Sequence, residues 1–303
     1  MILNLRHKLM LEKMNEINSH TFALFHYTKE EDTIFKILKE GLKFAYCKEK
    51  ISDDKCLGIP MISFCDIPIG KSHEHTTKYG SYAIALSKAK LIEKFKDLIA
   101  PVNYFISTSH IDAAFKLRDE GLVKKSDFSD AVQKEPGTKV SAVINGAIYK
   151  GKAFSKGNGG KFLYDFITYE DYLRSSSKNI GYMKAYQSEF DGKIQINYDE
   201  CEWRLVYPEN KKLLNGSLCT WFWNEKDYNN WRNDRNDKFT DIPNLTFGVN
   251  DIEYLIVPTR MEIPSFIKKL MDLWTICHRE ITEEERFLLV SKVISIEQIK
   301  RDF

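Results

Sequence analysis

The sequence lacks most of the signatures that assign a function at sight. Its six cysteines include no Cys-x-x-Cys pair, so neither the usual zinc site nor a dithiol redox pair is expected. Cys47, Cys56, Cys65, Cys201, Cys219 and Cys277 are expected as reduced thiols, mostly in the core. No stretch approaches the roughly 18 apolar residues that a membrane span requires. The N-terminal MILNLRHKLMLEKMNEINSH is an amphipathic pattern broken by charges, unlike a signal peptide, and a cytoplasmic protein without membrane contact is expected. Neither sign of charge is in excess. With 45 Lys and Arg against 43 Asp and Glu, the net charge of +2 argues against a dedicated DNA binder and leaves room for a local basic groove. There is no Gly-x-x-x-x-Gly-Lys phosphate loop and no Gly-x-Ser-x-Gly elbow, which excludes those routes to nucleotide or ester hydrolysis.

No internal repeat and no long linker divides the chain. Its 303 residues, 43% hydrophobic, suffice for a large core, and one domain over 1–303 is expected, with a mainly helical insertion at about 109–187. HTFALFHYT (20–28) has strand composition and runs into KEEDTIFKILKEGLK, a helix with Ile34, Ile37 and Leu38 on one face and a stop at Gly41. IPMISFCDIP (59–68) and GSYAIALSK (80–88) are further strands. KAKLIEKFKDLI is a helix ending before Pro101, and VNYFIST returns to strand. Later come the strand DIEYLIVP and the amphipathic helix SFIKKLMDLWTICHRE. The pattern is α+β.

Several polar residues sit oddly in this frame. In NYDECEWRLVYP (197–208), strand alternation puts Glu200, Glu202 and Arg204 on one face and Cys201, Trp203 and Leu205 on the other. His26 and Tyr27 close an apolar strand and Thr28 begins the following turn; a histidine buried there needs a hydrogen-bond partner. Ser63 and Asp66 flank Phe64, and a buried aspartate needs a cation such as Arg204. Tyr79 and Tyr82 stand on either side of Gly80, which tolerates a close backbone approach by a ligand. Each also has a plain structural reading: a core histidine, a structural ion pair, core aromatics.

Taken in order, these residues resemble the ADP-ribosyltransferase fold, in which a split β-sheet with flanking helices binds NAD between a histidine on an early strand, aromatics on a middle one and a glutamate on a late one. FHYTKEEDTIFKILKEGLKFAYCKE, IPMISFCDIPI, KYGSYAIALSK and DECEWRLVYP also resemble AbiGi, the antitoxin of abortive phage-infection systems, over roughly residues 22–260. The AbiGi resemblance implies anti-phage defence. The looser resemblance to ADP-ribosyltransferases, including the DarT type that modifies nucleic acid, implies NAD as substrate. On that pattern Glu202 holds the ribose beside the bond to nicotinamide, and Glu200 guides or deprotonates the incoming nucleophile. The same pattern gives the NAD contacts to His26, Tyr27, Thr28, Ser63, Phe64, Tyr79, Tyr82 and Arg204. His26 takes the adenosine-side ribose, Tyr79 or Tyr82 stacks on nicotinamide, and Arg204 orients Glu202 or meets a phosphate. No arginine beside the early strand is available to clamp the pyrophosphate. The alternative is a non-catalytic antitoxin or sensor that binds a cognate toxin or RNA and keeps EWR as a structural motif.

WFWNEKDYNNWRNDRNDK interleaves tryptophans with cations. Arg232, Arg235, Lys238, Trp231 and Tyr228 form the expected surface for an RNA or single-stranded DNA acceptor, while Trp221 and Trp223 are expected to cap the core. His73 and His75 have His-x-His spacing with no third ligand nearby, and a solvated loop rather than a metal site is expected there.

Overall fold

Where apolar residues recur with period 2 or run unbroken, the computed structural model places strands. It describes residues 21–50, 56–71, 73–107, 109–119, 138–144, 147–153, 178–190, 193–234 and 241–302. The chain divides into two units, one of Met1–Tyr104 with Tyr186–Phe303 and one of Phe105–Ala185. The expected amphipathic segment at residues 1–20 lies outside the described residues.

The described part of the first unit begins with strand β1 (Ala23–Thr28), helix α1 (Glu31–Glu40) and strands β2 (Ala45–Lys50) and β3 (Cys56–Cys65). Helix α2 (His73–Tyr79), strand β4 (Tyr82–Ser87), helix α3 (Lys88–Phe95) and strand β5 (Ile99–Pro101) follow. After the excursion into the second unit come the hairpin β6 (Gln187–Phe190) and β7 (Lys193–Ile196), strand β8 (Glu202–Val206) and helix α4 (Glu225–Asn233). Strand β9 (Ile252–Val257), helices α5 (Ile263–Met271) and α6 (Glu283–Val290), strand β10 (Val293–Ser295) and helix α7 (Ile296–Asp302) complete it.

The main sheet has the order β10-β9-β4-β1-β3-β8-β5, with β2 also paired to β3. Only β9 and β10 run parallel; the other pairs are antiparallel. β4 lies between β1 and β9 and is apolar over Ala83–Leu86, all fully buried, as a central strand covered on both faces requires. α1 buries the expected stripe of Ile34, Ile37 and Leu38. It stops at Gly41, whose φ of 86° and tight approach to the Leu245 carbonyl, 2.6 Å from where a Cβ would sit, suit glycine. α6 starts with a reciprocal cap between Thr282 and Glu285.

The register of β3 creates the feature that matters for function. Met61 pairs with Ala45 on one side and Val206 on the other, and Cys65 pairs with Phe25 on one side and Glu202 on the other. Since Val206 and Glu202 belong to the same strand, β1 and β2 share the remaining side of β3, one beyond the other. Residues 62–64 face the gap between them. Paired residues point to the same face, so Phe25, Cys65, Ser63, Glu202 and Arg204 share one face, and His26, Phe64 and Trp203 share the other. On the first face Ala23, Phe25, Cys65, Ala83, Ala85 and Ile256 pack with Ile296 of α7 into one apolar cluster.

Two sequence expectations need correction. SFIKKLMDLWTICHRE is helical only to Met271; Thr275–Ile276 and Arg279–Glu280 pair as a tight hairpin whose turn residues Cys277 and His278 have φ of 47° and 62°. Left-handed positions usually carry Gly or Asn, so the turn left no signal. His73 and His75 stand in α2, not in a loop.

In the second unit, the helix over 109–119 buries Ile111 and Phe115, and Thr138–Ile144 pairs with Ala147–Ala153 as an antiparallel hairpin. Most of the helical pattern expected over 109–132 and 161–187 lies outside the described residues. Among the described residues, no helix is long and apolar enough to cross a membrane.

Candidate active site

The strand carrying the two glutamates is shorter than alternation implies. β8 starts at Glu202, while Asn197–Glu200 form a single 3-10 turn and Cys201 takes a left-handed φ of 41°. Glu200 therefore comes from the turn and not from the strand face. Its carboxylate nevertheless borders the same cleft as Glu202, a cavity of about 1120 Å³ lined also by Asp66, Lys71, His75, Lys78, Tyr79, Tyr104, Gln195, Tyr198 and Trp203.

Glu202 is held by three hydrogen bonds from two residues. Arg204 Nε donates to its Oε1 at 2.8 Å, Arg204 Nη2 to its Oε2 at 3.0 Å, and Ser63 Oγ to its Oε1 at 2.9 Å. The same Nη2 reaches Glu49 Oε1 of β2 at 3.0 Å, so one guanidinium serves two carboxylates. Burial alone would depress the pKa of the fully buried Arg204, but Glu202 and Glu49 outweigh it and hold it above its ordinary value. The guanidinium stays charged, and Glu202 keeps a fixed orientation at the cleft wall. Asp66 is not the partner of Arg204. It takes the ammonium of Lys88 and, at 3.1 Å, the indole N–H of Trp203, on the far side of the strand. The reason is the register: Trp203 points away from Arg204, toward the start of α3.

Glu200 is held differently. Lys78 Nζ at 2.5 Å, Tyr79 Oη at 2.8 Å and Gln195 Nε2 at 2.8 Å all converge on its Oε1. Lys78 is a third exposed, whereas Glu200 is buried. Burial first, and then the Glu200 carboxylate, push the Tyr79 phenol well above its usual range, so it remains a protonated donor at neutral pH. The aromatic row Tyr104, Tyr198 and Tyr186 stands beside this turn, with ring centroids 5.4 Å and 5.7 Å apart. Tyr104 Oη accepts the backbone N–H of Glu202 at 2.9 Å.

The other expected ligand contacts are scattered. His26 points to the face opposite Glu202, packs against Phe64, and donates from Nδ1 to the Ser63 carbonyl at 2.9 Å, which bridges the gap beside β3. It does not border the cleft. Tyr27 shares the face of Glu202 and meets His75 of α2 at 5.7 Å. Tyr82 pairs with Thr28 in the ladder and bonds Glu262, away from the glutamates. Gly80 serves a close approach, but to the chain itself: its φ is 109°, and a Cβ there would sit 2.2 Å from the Thr28 carbonyl.

The expected nucleic-acid surface also changes character. Trp231 packs on Tyr46 at 4.4 Å, Phe222 at 5.3 Å and Tyr228 at 5.9 Å, which makes it part of an aromatic cluster and not an open stacking platform. Arg232 lies in the last turn of α4; Arg235 and Lys238 lie outside the described residues. Trp221 is buried and donates to the Tyr207 carbonyl at 2.9 Å. Burial raises the thiols of Cys56, Cys65, Cys201, Cys219 and Cys277, that of Cys219 to about 11, which disfavours thiolate chemistry at these positions. Among the described residues, no group of three His, Cys, Asp or Glu gathers as metal ligands would.

Sequence reasoning passed over Glu49, Lys78, Tyr104 and Gln195. Glu49 and Lys78 lie in the charged stretches CKEK and TTKY, where nothing separates a buried partner from a solvated one. Tyr104 reaches the site only through tertiary packing, and Gln195, five residues before Glu200, reaches it through the turn that follows β7.

Comparison with known proteins decides the family. Residues 32–258 match the family model described as "Putative abortive phage resistance protein AbiGi, antitoxin". The chain belongs to the AbiGi family. A relative from Lactococcus lactis subsp. cremoris, "Abortive phage resistance protein AbiGi", is 27% identical over 270 residues, covering 81% of this chain and 89% of the relative. No solved structure matches. The matched span contains Ser63, Tyr79, Glu200, Glu202 and Arg204 and begins after β1, so His26 falls outside it. Membership in an abortive phage resistance family supports an anti-phage function, and the chemistry has to be argued from the cleft.

Proposed function

We propose that this anti-phage protein is an NAD-dependent ADP-ribosyltransferase working in the Glu200–Glu202 cleft. The observation that carries the reading is the Glu202 carboxylate, locked by Arg204 and Ser63 on the wall of a cavity large enough for a dinucleotide. In the reaction the bond between nicotinamide and ribose breaks with its electron pair leaving on nicotinamide. Positive charge builds on the ribose, and Glu202 stabilises it through the 2′-hydroxyl. A hydroxyl or amine of the acceptor then bonds to the ribose carbon, and its proton passes to Glu200 or to water. The products are nicotinamide, the ADP-ribosylated acceptor and a proton. Arg204 and Ser63 act as positioning residues, since the preorganised carboxylate needs no rearrangement at the moment of reaction. The acceptor is a nucleic acid or a protein.

A second reading has its own support. Arg204 takes both oxygens of Glu202, as a structural ion pair does, and the family description carries the word antitoxin. On that reading the chain binds a partner toxin or RNA without chemistry. Phage challenge of cells expressing Glu202→Gln at normal level and melting temperature separates the two. The transferase predicts lost protection; retained protection assigns the function to binding.

A further inference from the structure

One wall of the cleft is basic, and nothing in the proposed chemistry uses it. Lys71, His75, Lys78 and Tyr79 recur with a spacing of four, three and one along α2 and the turn before it, and all four line the cavity. The acids themselves are largely matched: Glu202 by Arg204, Asp66 by Lys88, and Glu200 by Lys78. Among the described residues Lys71 has no carboxylate partner. A lysine without a counter-charge at the mouth of a cavity, next to one that is a third exposed, attracts an anion carried by whatever enters. His75, packed between Tyr27 at 5.7 Å and Tyr79 at 5.0 Å, adds an imidazole held in place by two rings.

We infer that this lysine and histidine wall holds the pyrophosphate of a nucleoside-diphosphate ligand, supplying the cations that the sequence does not provide as an arginine beside β1. The inference rests on the reading of the cleft as an NAD site and assigns its phosphate half. A phosphate arriving at Lys78 takes that ammonium from Glu200, which keeps its bonds to Tyr79 and Gln195. Ligand entry and the freeing of Glu200 from its ion pair are then one event.

Calorimetric titration of the full chain with ADP-ribose, ADP and adenosine tests this, using wild type, Lys71→Ala and Lys71→Ala/Lys78→Ala variants matched in melting temperature. ADP-ribose and ADP should bind wild type more tightly than adenosine and weaken at least about tenfold in the double variant, with adenosine unchanged. Lys71→Ala alone should show part of that loss and a smaller salt dependence. Unchanged ADP-ribose affinity in both variants overturns the inference, as does wild type that binds adenosine as well as ADP or binds none of the three. An oligonucleotide that binds with the same lysine dependence while ADP does not would give the wall to a nucleic-acid backbone and equally overturn it. If ADP-ribose binds with the expected dependence but NAD is never cleaved, the transferase reading fails and the phosphate wall stands. If NAD is cleaved with the same KM in the double variant, the wall fails and the transferase stands.

Discussion

Two glutamates two positions apart are held in opposite ways. Glu202 sits in the sheet, and its partner Arg204 is fully buried and shared with Glu49. Glu200 sits in a turn, and its cation Lys78 is a third exposed. The contrast follows from depth. A buried guanidinium cannot leave its carboxylates without stranding charge, whereas a partly exposed ammonium loses less by moving to another anion. A site that needs one fixed carboxylate to stabilise charge and one adaptable carboxylate to receive a proton can use this asymmetry.

The largest expected effect comes from breaking the fixed member. Arg204→Leu takes the guanidinium from the buried Glu202 and the partly buried Glu49 and should cost about 3–5 kcal/mol in denaturant unfolding. A loss below about 1 kcal/mol would mean that the guanidinium is not the anchor. Gly80→Ala comes next. The residue ends α2, which carries Lys78 and Tyr79, and its φ of 109° leaves no room for a Cβ against Thr28. Strain of this kind costs about 1–3 kcal/mol, and the loss should be accompanied by weaker ligand binding as the donors to Glu200 shift. The smallest effect is expected at the adaptable member: Lys78→Met leaves the buried Glu200 its donors Tyr79 and Gln195 and should change unfolding free energy by about 1–2 kcal/mol. A cost equal to that of Arg204→Leu would erase the distinction between the two acids.

Much of this contrast was out of reach of the sequence. The strands β1, β3, β4 and β9 and helix α1 were legible because their apolar residues run together or follow one period, with Gly41 closing α1 and Pro258 following β9. Glu202 and Arg204 were legible as a pair because alternation holds within β8. Glu200 was placed in the strand because no rule of composition announces that Cys201 turns left-handed. β2 was missed, since AYCKEK looks solvated until Glu49 is seen to meet Arg204. Trp231 looked like a stacking platform because its polar neighbours hide the packing on Phe222 and on Tyr46, the latter far away in sequence. His26 was grouped with the glutamates on chain order alone. Only the register of β3 shows that it faces the other way.

Nicotinamide release from NAD by the purified chain tests the role of Glu202 most directly. Wild type should release nicotinamide, and Glu202→Gln, matched in melting temperature, should be at least about 100-fold slower, the usual loss when a group that stabilises developing charge is removed. Equal release by the two proteins, or none by wild type with acceptor nucleic acid and protein supplied, would contradict it.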